Sequence, residues 1–163
     1  RVGIMPTPDF IRDLRSSIGH QLLWLPGVSA VVLDDEGRVL LGQRADNHKW
    51  ALISGIPDPG EQPAAAIVRE VEEETGVRVA VERLVAVRSG RQVTYPNEDV
   101  CQFMDLCFRC RVLGGEARVN DDESLAVGWF PLDDLPELTG YHHFRIKQAL
   151  SDEPTWFDST TPE

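Results

Sequence analysis

The stretch GIPDPGEQPAAAIVREVEEETGV, residues 55–77, decides how this chain is interpreted. Its second half is rich in glutamate at helical neighbour positions, where like charges repel one another. On a helical wheel, the apolar side chains of residues 62–75 fall in one arc. Glu70, Glu73 and Glu74 share a different arc, within about 100° of one another. A helix that keeps three carboxylates on one face needs something that offsets their repulsion.

A solvated charged face is one explanation of this run, and a metal site is the other. Solvated faces usually mix charges of both signs, yet the cation nearby is Arg69, which is placed to reach Glu73 at i+4. The Gly- and Pro-rich loop before the helix is also more specialised than a connector requires. Three converging carboxylates form the oxygen-rich kind of site that Mg²⁺ prefers. The pattern therefore favours a metal-binding helix.

Composition limits the classes of function. The chain has 163 residues, is 42% hydrophobic and carries a formal net charge of −11. We expect one folded domain over residues 1–163, and no nucleic-acid or anionic-membrane partner, because the charge is of the wrong sign. No window approaches 18 consecutive apolar residues and no secretory signal is visible, so we expect a cytoplasmic protein. A homodimer remains open.

Hydrophobic periodicity alternates between helix and strand along the chain, which indicates an α/β fold class. We predict an N-terminal helix at 7–18, the glutamate-rich helix at 62–75 and a C-terminal helix at about 140–150. Between them we predict strands at 27–34, 38–44, 50–54, about 77–91, about 99–112 and 125–132, with a helical turn at 132–137 and a loose tail after residue 150.

Three cysteines lie in one predicted strand. The odd count and the spacing of Cys101, Cys107 and Cys110 do not form a disulfide framework. A strand would direct Cys107 and Cys110 to opposite faces, which argues against a shared metal site. We expect buried, reduced thiols.

Residues 55–77 resemble a complete Nudix box. The pattern is Gly, five residues, Glu, seven residues, and then Arg-Glu-apolar-x-Glu-Glu-x-Gly-apolar. Its defined positions are filled by Gly55, Glu61, Arg69, Glu70, Val71, Glu73, Glu74, Gly76 and Val77. At average residue frequencies, a chance match in this chain is of the order of one in ten million, so the resemblance is specific.

The resemblance implies the Nudix fold, in which a mixed β-sheet is sandwiched between helices (α/β/α). It also implies a Mg²⁺-dependent, sometimes Mn²⁺-dependent, pyrophosphohydrolase that cleaves a nucleoside diphosphate linked to another group, X. By position, Glu70, Glu73 and Glu74 would be metal ligands, and the backbone carbonyl of Ser54 would add another. Arg69 would orient a glutamate through a charge-assisted hydrogen bond.

The remaining catalytic roles are less defined. Glu61 would act as an outer metal ligand or hold a water. The general base is open between Glu70 and an acid of the NDDES run, either Glu123 or Asp122. A solvated loop is the alternative explanation of that run.

The identity of X depends on residues outside the box. Arg44 lies near the predicted active loop and is a candidate substrate ligand. Tyr95 stands 18 residues beyond Val77, where some similar dinucleoside polyphosphate hydrolases carry a tyrosine, although an ordinary loop residue is the alternative. Phe103 would stack on a base if its strand face lines the cleft, and a structural role is its alternative.

Two other functions use a similar fold. A non-catalytic, nucleotide-sensing Nudix-like module usually lacks some of the box glutamates, which are all present here. An isopentenyl diphosphate isomerase would need a catalytic cysteine and glutamate at particular places, whereas the cysteines here cluster in one strand. We therefore expect a hydrolase acting on a small nucleotide.

Overall fold

The computed structural model describes residues 7–160; residues 1–6, to which the sequence assigns no role, and residues 161–163 lie outside this range. The helices are α1 (Asp9–Ile18), α2 (Pro63–Thr75) and α3 (Gly140–Leu150). The strands are β1 (Leu23–Leu33), β2 (Val39–Arg44), β3 (Trp50–Ala51), β4 (Ile53–Gly55), β5 (Val77–Ser89), β6 (Val93–Thr94), β7 (Val100–Gly115), β8 (Ser124–Phe130) and β9 (Trp156–Phe157). None of these helices is long and apolar enough to cross a bilayer.

The strands form one mixed sheet that divides at β1, because β2 and β4 pair with different parts of that strand. Its order is β3-β2-β1-β7-β5-β9, with β4 also paired to β1, β6 to β7 and β8 to β2. The β1–β7 and β5–β9 pairs are parallel, and the other pairs are antiparallel. Strand β1 pairs with β2 at Leu33 and with β4 from Val28 to Ala30. The ends of β2 and β4 therefore come together where the sheet divides.

Helices cover both faces of this sheet, as the resemblance to the Nudix family implies. Helix α2 packs Ile67 and Val71 against one face, and α3 packs Ile146 and Ala149 against the other. Helix α1 covers a third cluster through Ile11. Full burial of a side chain such as Val71 contributes about 1.5–3 kcal/mol, so these contacts fix α2 on the sheet.

Helix α2 begins and ends as its sequence predicts, to within one residue. Pro63 occupies its first turn, and Gly76 ends it in the left-handed conformation (φ 72°), where its N–H donates to the Glu72 carbonyl at 2.9 Å. A second glycine, Gly115 (φ 88°), lies against this end. A Cβ at Gly115 would overlap the Gly76 carbonyl oxygen. The end of β7 and the end of α2 are therefore in direct backbone contact.

Several predicted boundaries are wrong. Residues 50–54 form two strands rather than one, because β3 pairs with β2 and β4 pairs with β1 on either side of the division. Residues 132–137 form turns and bends instead of a helical turn. The predicted loose tail contains β9, which pairs with Ala86 and Val87 of β5. Helix α1 starts at Asp9 rather than residue 7, and its N-cap is Pro8.

The cysteines behave as predicted. All three are buried and unbonded to one another. Cys107 and Cys110 belong to core clusters on opposite faces of the sheet. Burial raises the pKa of each of these two thiols to about 12, so both are protonated at neutral pH.

Candidate active site

Arg69 joins the loop before α2 to the carboxylates of the helix. Its Nε and Nη2 each donate to a Glu61 carboxylate oxygen at 2.9 Å. Its Nη1 donates to Glu70 Oε1 and to Glu73 Oε2 at 3.0 Å, which confirms the predicted i,i+4 contact. Hydrogen bonding from Arg69 holds the pKa of Glu61 below its ordinary value, so this pair remains ionised.

Glu70 fits because residue 55 has no side chain. A Cβ at Gly55 would overlap Cγ, Cδ and Oε1 of Glu70. The Glu70 carboxyl group therefore lies directly against strand β4. Burial raises the pKa of Glu70, and the positive charge of Arg69 opposes that rise. Close packing of Glu70 against β4 therefore requires a glycine at the start of the box.

Glu74 is buried with little compensation. It is 7% exposed, and its Oε1 has no hydrogen-bond partner among the described residues. Burial raises its pKa to about 9, and the negative charges of Glu123, Glu70 and Asp121 add to that rise. The pKa of Glu123 is likewise raised to about 7, first by burial and then by Asp121 and Glu70. The carboxylates here outnumber the cations that could balance them.

A small cavity lies between α2 and the ends of β2 and β4. Its volume is ≈ 20 Å³, enough for one water-sized group. Its lining includes Gly42, Arg44, Asp46, Ala51, Leu52, Ile53, Ser54, Glu74, Glu123 and Ser124. Arg44 donates from Nε to Asp46 Oδ1 at 2.9 Å, and its charge partly opposes the rise in the pKa of Glu74.

The donor chemistry of this region fits a hard divalent cation. Within residues 7–160, no three acidic, histidine or cysteine side chains stand ready in a metal-ligating arrangement. Arg69 instead holds Glu70 and Glu73, and the Glu73 side chain is 56% exposed. The unpartnered Oε1 of Glu74 nevertheless belongs to an oxygen-rich group of acids, and a divalent cation would favour their ionised forms.

The loop between β7 and β8 brings Asp121 and Glu123 close to Glu74. The same loop contains Asn120, a residue to which the sequence alone did not point. Asn120 donates from Nδ2 to the Glu72 and Glu73 carbonyls at 3.2 and 3.0 Å. Its backbone N–H donates to the Glu74 carbonyl at 3.2 Å. The orphan carbonyls at every helix C-terminus are the signal that could have suggested such a donor.

The predicted substrate residues are not all in one place. Arg44 lines the cavity with Glu74 and Glu123. Tyr95 packs against the cluster under α1; burial raises its pKa, while the charge of Arg44 opposes the rise. Phe103 packs in the same cluster. The structure thus brings Arg44 to the carboxylates, places Tyr95 within electrostatic reach of Arg44, and gives Phe103 apolar neighbours.

Comparisons with known proteins agree with this architecture. A family model described as the NUDIX domain matches residues 23–150. The chain is 39% identical over 124 residues to a MutT-like protein of Streptomyces ambofaciens, covering 76% of this chain and 75% of the relative. It is 32% identical over 144 residues to an ADP-ribose pyrophosphatase of Methanocaldococcus jannaschii, covering 85% and 80%.

A solved structure shows the same fold. The crystal structure of a MutT NUDIX hydrolase from Burkholderia pseudomallei superposes with a TM-score of 0.62 at 32% identity, covering 77% of this chain and 98% of that one. The range matched by the family model contains every residue discussed above as part of the site. This chain therefore belongs to the Nudix family and is a Nudix hydrolase, as its box implies.

Proposed function

We propose that this Nudix hydrolase is a Mg²⁺-dependent enzyme that cleaves the pyrophosphate bond of a nucleoside diphosphate linked to a group X. The observation that carries the proposal is Glu74, a buried carboxylate with an unpartnered oxygen and three acidic neighbours. A protein retains such a group at a stability cost when the group has a cation to bind. Mn²⁺ is the alternative ion.

Glu70, Glu73, Glu74 and the carbonyl of Ser54 would hold the metal. When bound, the ion would neutralise charge on the phosphate oxygens and lower the pKa of a water. To join this set, Glu73 would give up its contact with Arg69, and its side chain has room to do so because it is 56% exposed.

Arg69 and Glu61 would act as a supporting pair. Both oxygens of Glu61 are engaged by Arg69, and one also accepts the N–H of Asp58 at 2.9 Å. This pairing supports an indirect role for Glu61, in which it fixes Arg69 and thereby orients Glu70. Such a role differs from that of an outer metal ligand.

Glu123 is the general base that the geometry favours over Glu70 and Asp122. Glu70 already accepts a hydrogen bond from Arg69, and Asp122 is exposed. Glu123 lines the cavity with Glu74, and burial raises its pKa, which makes it a stronger proton acceptor for the attacking water.

Arg44 would contact a phosphate group, because it brings positive charge to a strongly acidic cavity. Tyr95, which lies within reach of that charge, would contact X or the base, and Phe103 would shape the apolar side of the pocket. On the sequence grounds given above, we place this small-molecule reaction in the cytoplasm, and a homodimer remains open.

The test is a product analysis by chromatography. The protein is incubated with Mg²⁺ and a panel of (d)NTPs and their oxidised forms, ADP-ribose, nucleotide sugars, NADH and diadenosine polyphosphates. We expect one class to yield a nucleoside monophosphate, with turnover abolished by EDTA and restored by Mg²⁺. Tight binding of a panel member without turnover would contradict the proposal and indicate a sensing module.

A further inference from the structure

The last turn of α2 receives an unusual set of hydrogen bonds. A helix leaves its last carbonyls without intrahelical donors; in α2 the Gly76 N–H serves the Glu72 carbonyl, and the carbonyls of residues 73–75 have no such donor. Asn120 donates to the Glu73 carbonyl from its side chain and to the Glu74 carbonyl from its backbone, and its side chain adds a second bond to the Glu72 carbonyl. The Thr75 carbonyl accepts the N–H of Arg118 at 3.0 Å. The loop is therefore anchored directly beneath Glu73 and Glu74.

The same loop is fixed at its other end. Asp121 Oδ1 accepts the N–H of Glu123 at 3.0 Å, which shapes the segment that follows Asn120. The Glu123 carbonyl then accepts the N–H of Ala45 at 2.8 Å, directly after β2. Glu123 thus lies between two hydrogen-bonded attachments of the loop, one from Asn120 to α2 and one to Ala45, next to Arg44.

We propose that Asn120 is a positioning residue that fixes Glu123 relative to Glu70 and Glu74. The role of Glu123 rests on the proposed function, whereas the anchor rests on the hydrogen bonds alone. A neutral amide suits this position, because its NH₂ group can serve two carbonyls without adding charge to an acidic site. A carboxylate here would face the negative end of the α2 dipole.

Kinetics of three variants test the proposal. Asn120→Ala removes the side-chain donors, Asn120→Asp keeps the size but removes the NH₂ group, and Val119→Ala is the matched control at an exposed position of the same loop. We expect both Asn120 variants to lose on the order of 10-fold or more in kcat, since small misplacements of a catalytic group are costly, while KM changes less than about 2-fold. The control should match the wild type.

A double-mutant cycle separates positioning from general structural support. If Asn120 acts through Glu123, Asn120→Ala should lower kcat little further in a Glu123→Gln background. Additive losses in the double variant would overturn the proposal. So would wild-type kcat in both Asn120 variants.

Hydrogen exchange tests the anchor without turnover. The Ala45 amide and the amides of residues 121–124 should exchange faster in Asn120→Ala than in Val119→Ala, and equal protection would overturn the proposal. If the wild type hydrolysed no panel nucleotide, the proposed function would fail. The exchange measurement would still decide whether Asn120 fixes the loop.

Discussion

Two equally buried carboxylates of this protein differ in their hydrogen-bond partners and in the charges around them. Asp105 and Glu74 are each 7% exposed. Asp105 Oδ2 accepts hydrogen bonds from Ser29 Oγ at 3.0 Å and Tyr141 OH at 3.3 Å, and it pairs with Arg145 Nη2 at 2.9 Å. Glu74 Oε1 has no partner among the described residues and has acidic neighbours.

The comparison contrasts a buried carboxylate that is paired within the fold with one that is left available to a ligand. Asp105 lies under α3 with a guanidinium that also stacks on the Tyr141 ring at 3.8 Å, so its negative charge is balanced inside the protein. Glu74 lies on α2 at the cavity, where acidic neighbours surround it and Arg44 opposes their effect on its pKa only in part. Removing each carboxylate should therefore have opposite effects on stability and activity.

The largest effect should follow from breaking the balanced pair. Asp105→Ala leaves Arg145 buried and unpaired, and we expect a loss of about 3–5 kcal/mol in the free energy of unfolding, measured by urea titration. The double variant Asp105→Leu/Arg145→Met removes both charges and should recover much of that loss. A loss below about 1 kcal/mol in the single variant would contradict the structural role of Asp105.

The unbalanced carboxylate should show the reverse behaviour. Glu74→Gln, like Glu73→Gln, should lower kcat by on the order of 10²-fold or more with Mg²⁺, because each change removes a proposed metal ligand. In the presence of EDTA, Glu74→Gln should be as stable as the wild type or more stable, since a buried carboxyl without compensation is removed. Full activity, or a stability loss comparable to that of Asp105→Ala, would show that the two carboxylates are alike.

A glycine substitution sharpens the same contrast through Glu70. A Cβ at Gly55 would displace the Glu70 side chain without requiring a new backbone conformation, so Gly55→Ala should lower kcat by roughly 10- to 10²-fold with a small change in stability. Gly140→Ala is the control, because a Cβ there meets nothing within 4 Å. Equal kcat values for the two variants would argue against close contact between Gly55 and Glu70.

The smallest effect should come from a paired carboxylate near the surface. Asp34 accepts hydrogen bonds from Arg38 N at 2.8 Å and Arg38 Nε at 2.7 Å. Burial alone would raise the pKa of Asp34, but these bonds outweigh it and hold the pKa below its ordinary value of 3.8. A lowered carboxyl pKa contributes stability that is present above the ordinary value and is lost as pH falls through the lowered one.

Asp34→Asn should therefore be less stable than the wild type by under about 1 kcal/mol at pH 7. The difference should shrink as pH falls below the ordinary pKa of aspartate, which urea titrations between pH 7 and pH 3 would reveal. A difference that grows on acidification would show that a lowered pKa of Asp34 does not stabilise the protein.

The sequence predicted what depends on local spacing. Helix α2, its end at Gly76 and the Arg69–Glu73 contact all follow from side chains within one or two helical turns. The α/β class follows from hydrophobic periodicity, and the Nudix family follows from the spacing of the box. Gly55 belonged to that box, although its contact with Glu70 became visible only in three dimensions.

What the sequence could not predict depends on partners far apart in the chain. Asn120 meets the Glu72 carbonyl across 48 positions, and no local pattern marks such a pairing. The pairing of Asp105 with Arg145 and the short strand β9 depend in the same way on how the sheet is assembled. The break between β3 and β4 likewise could not be predicted locally, because β3 pairs with β2 whereas β4 pairs with β1.

The contact between Gly76 and Gly115 limits how this enzyme can diverge. Neither residue can gain a side chain easily, since Gly76 is left-handed and a Cβ at Gly115 would overlap the Gly76 carbonyl. The start of the loop that carries Glu123 is thus locked to the box helix. The bonds of Arg118 and Asn120 to the last carbonyls of α2 extend this constraint along the loop. Insertions between residues 115 and 120 are therefore expected to displace the loop from the carboxylates of α2.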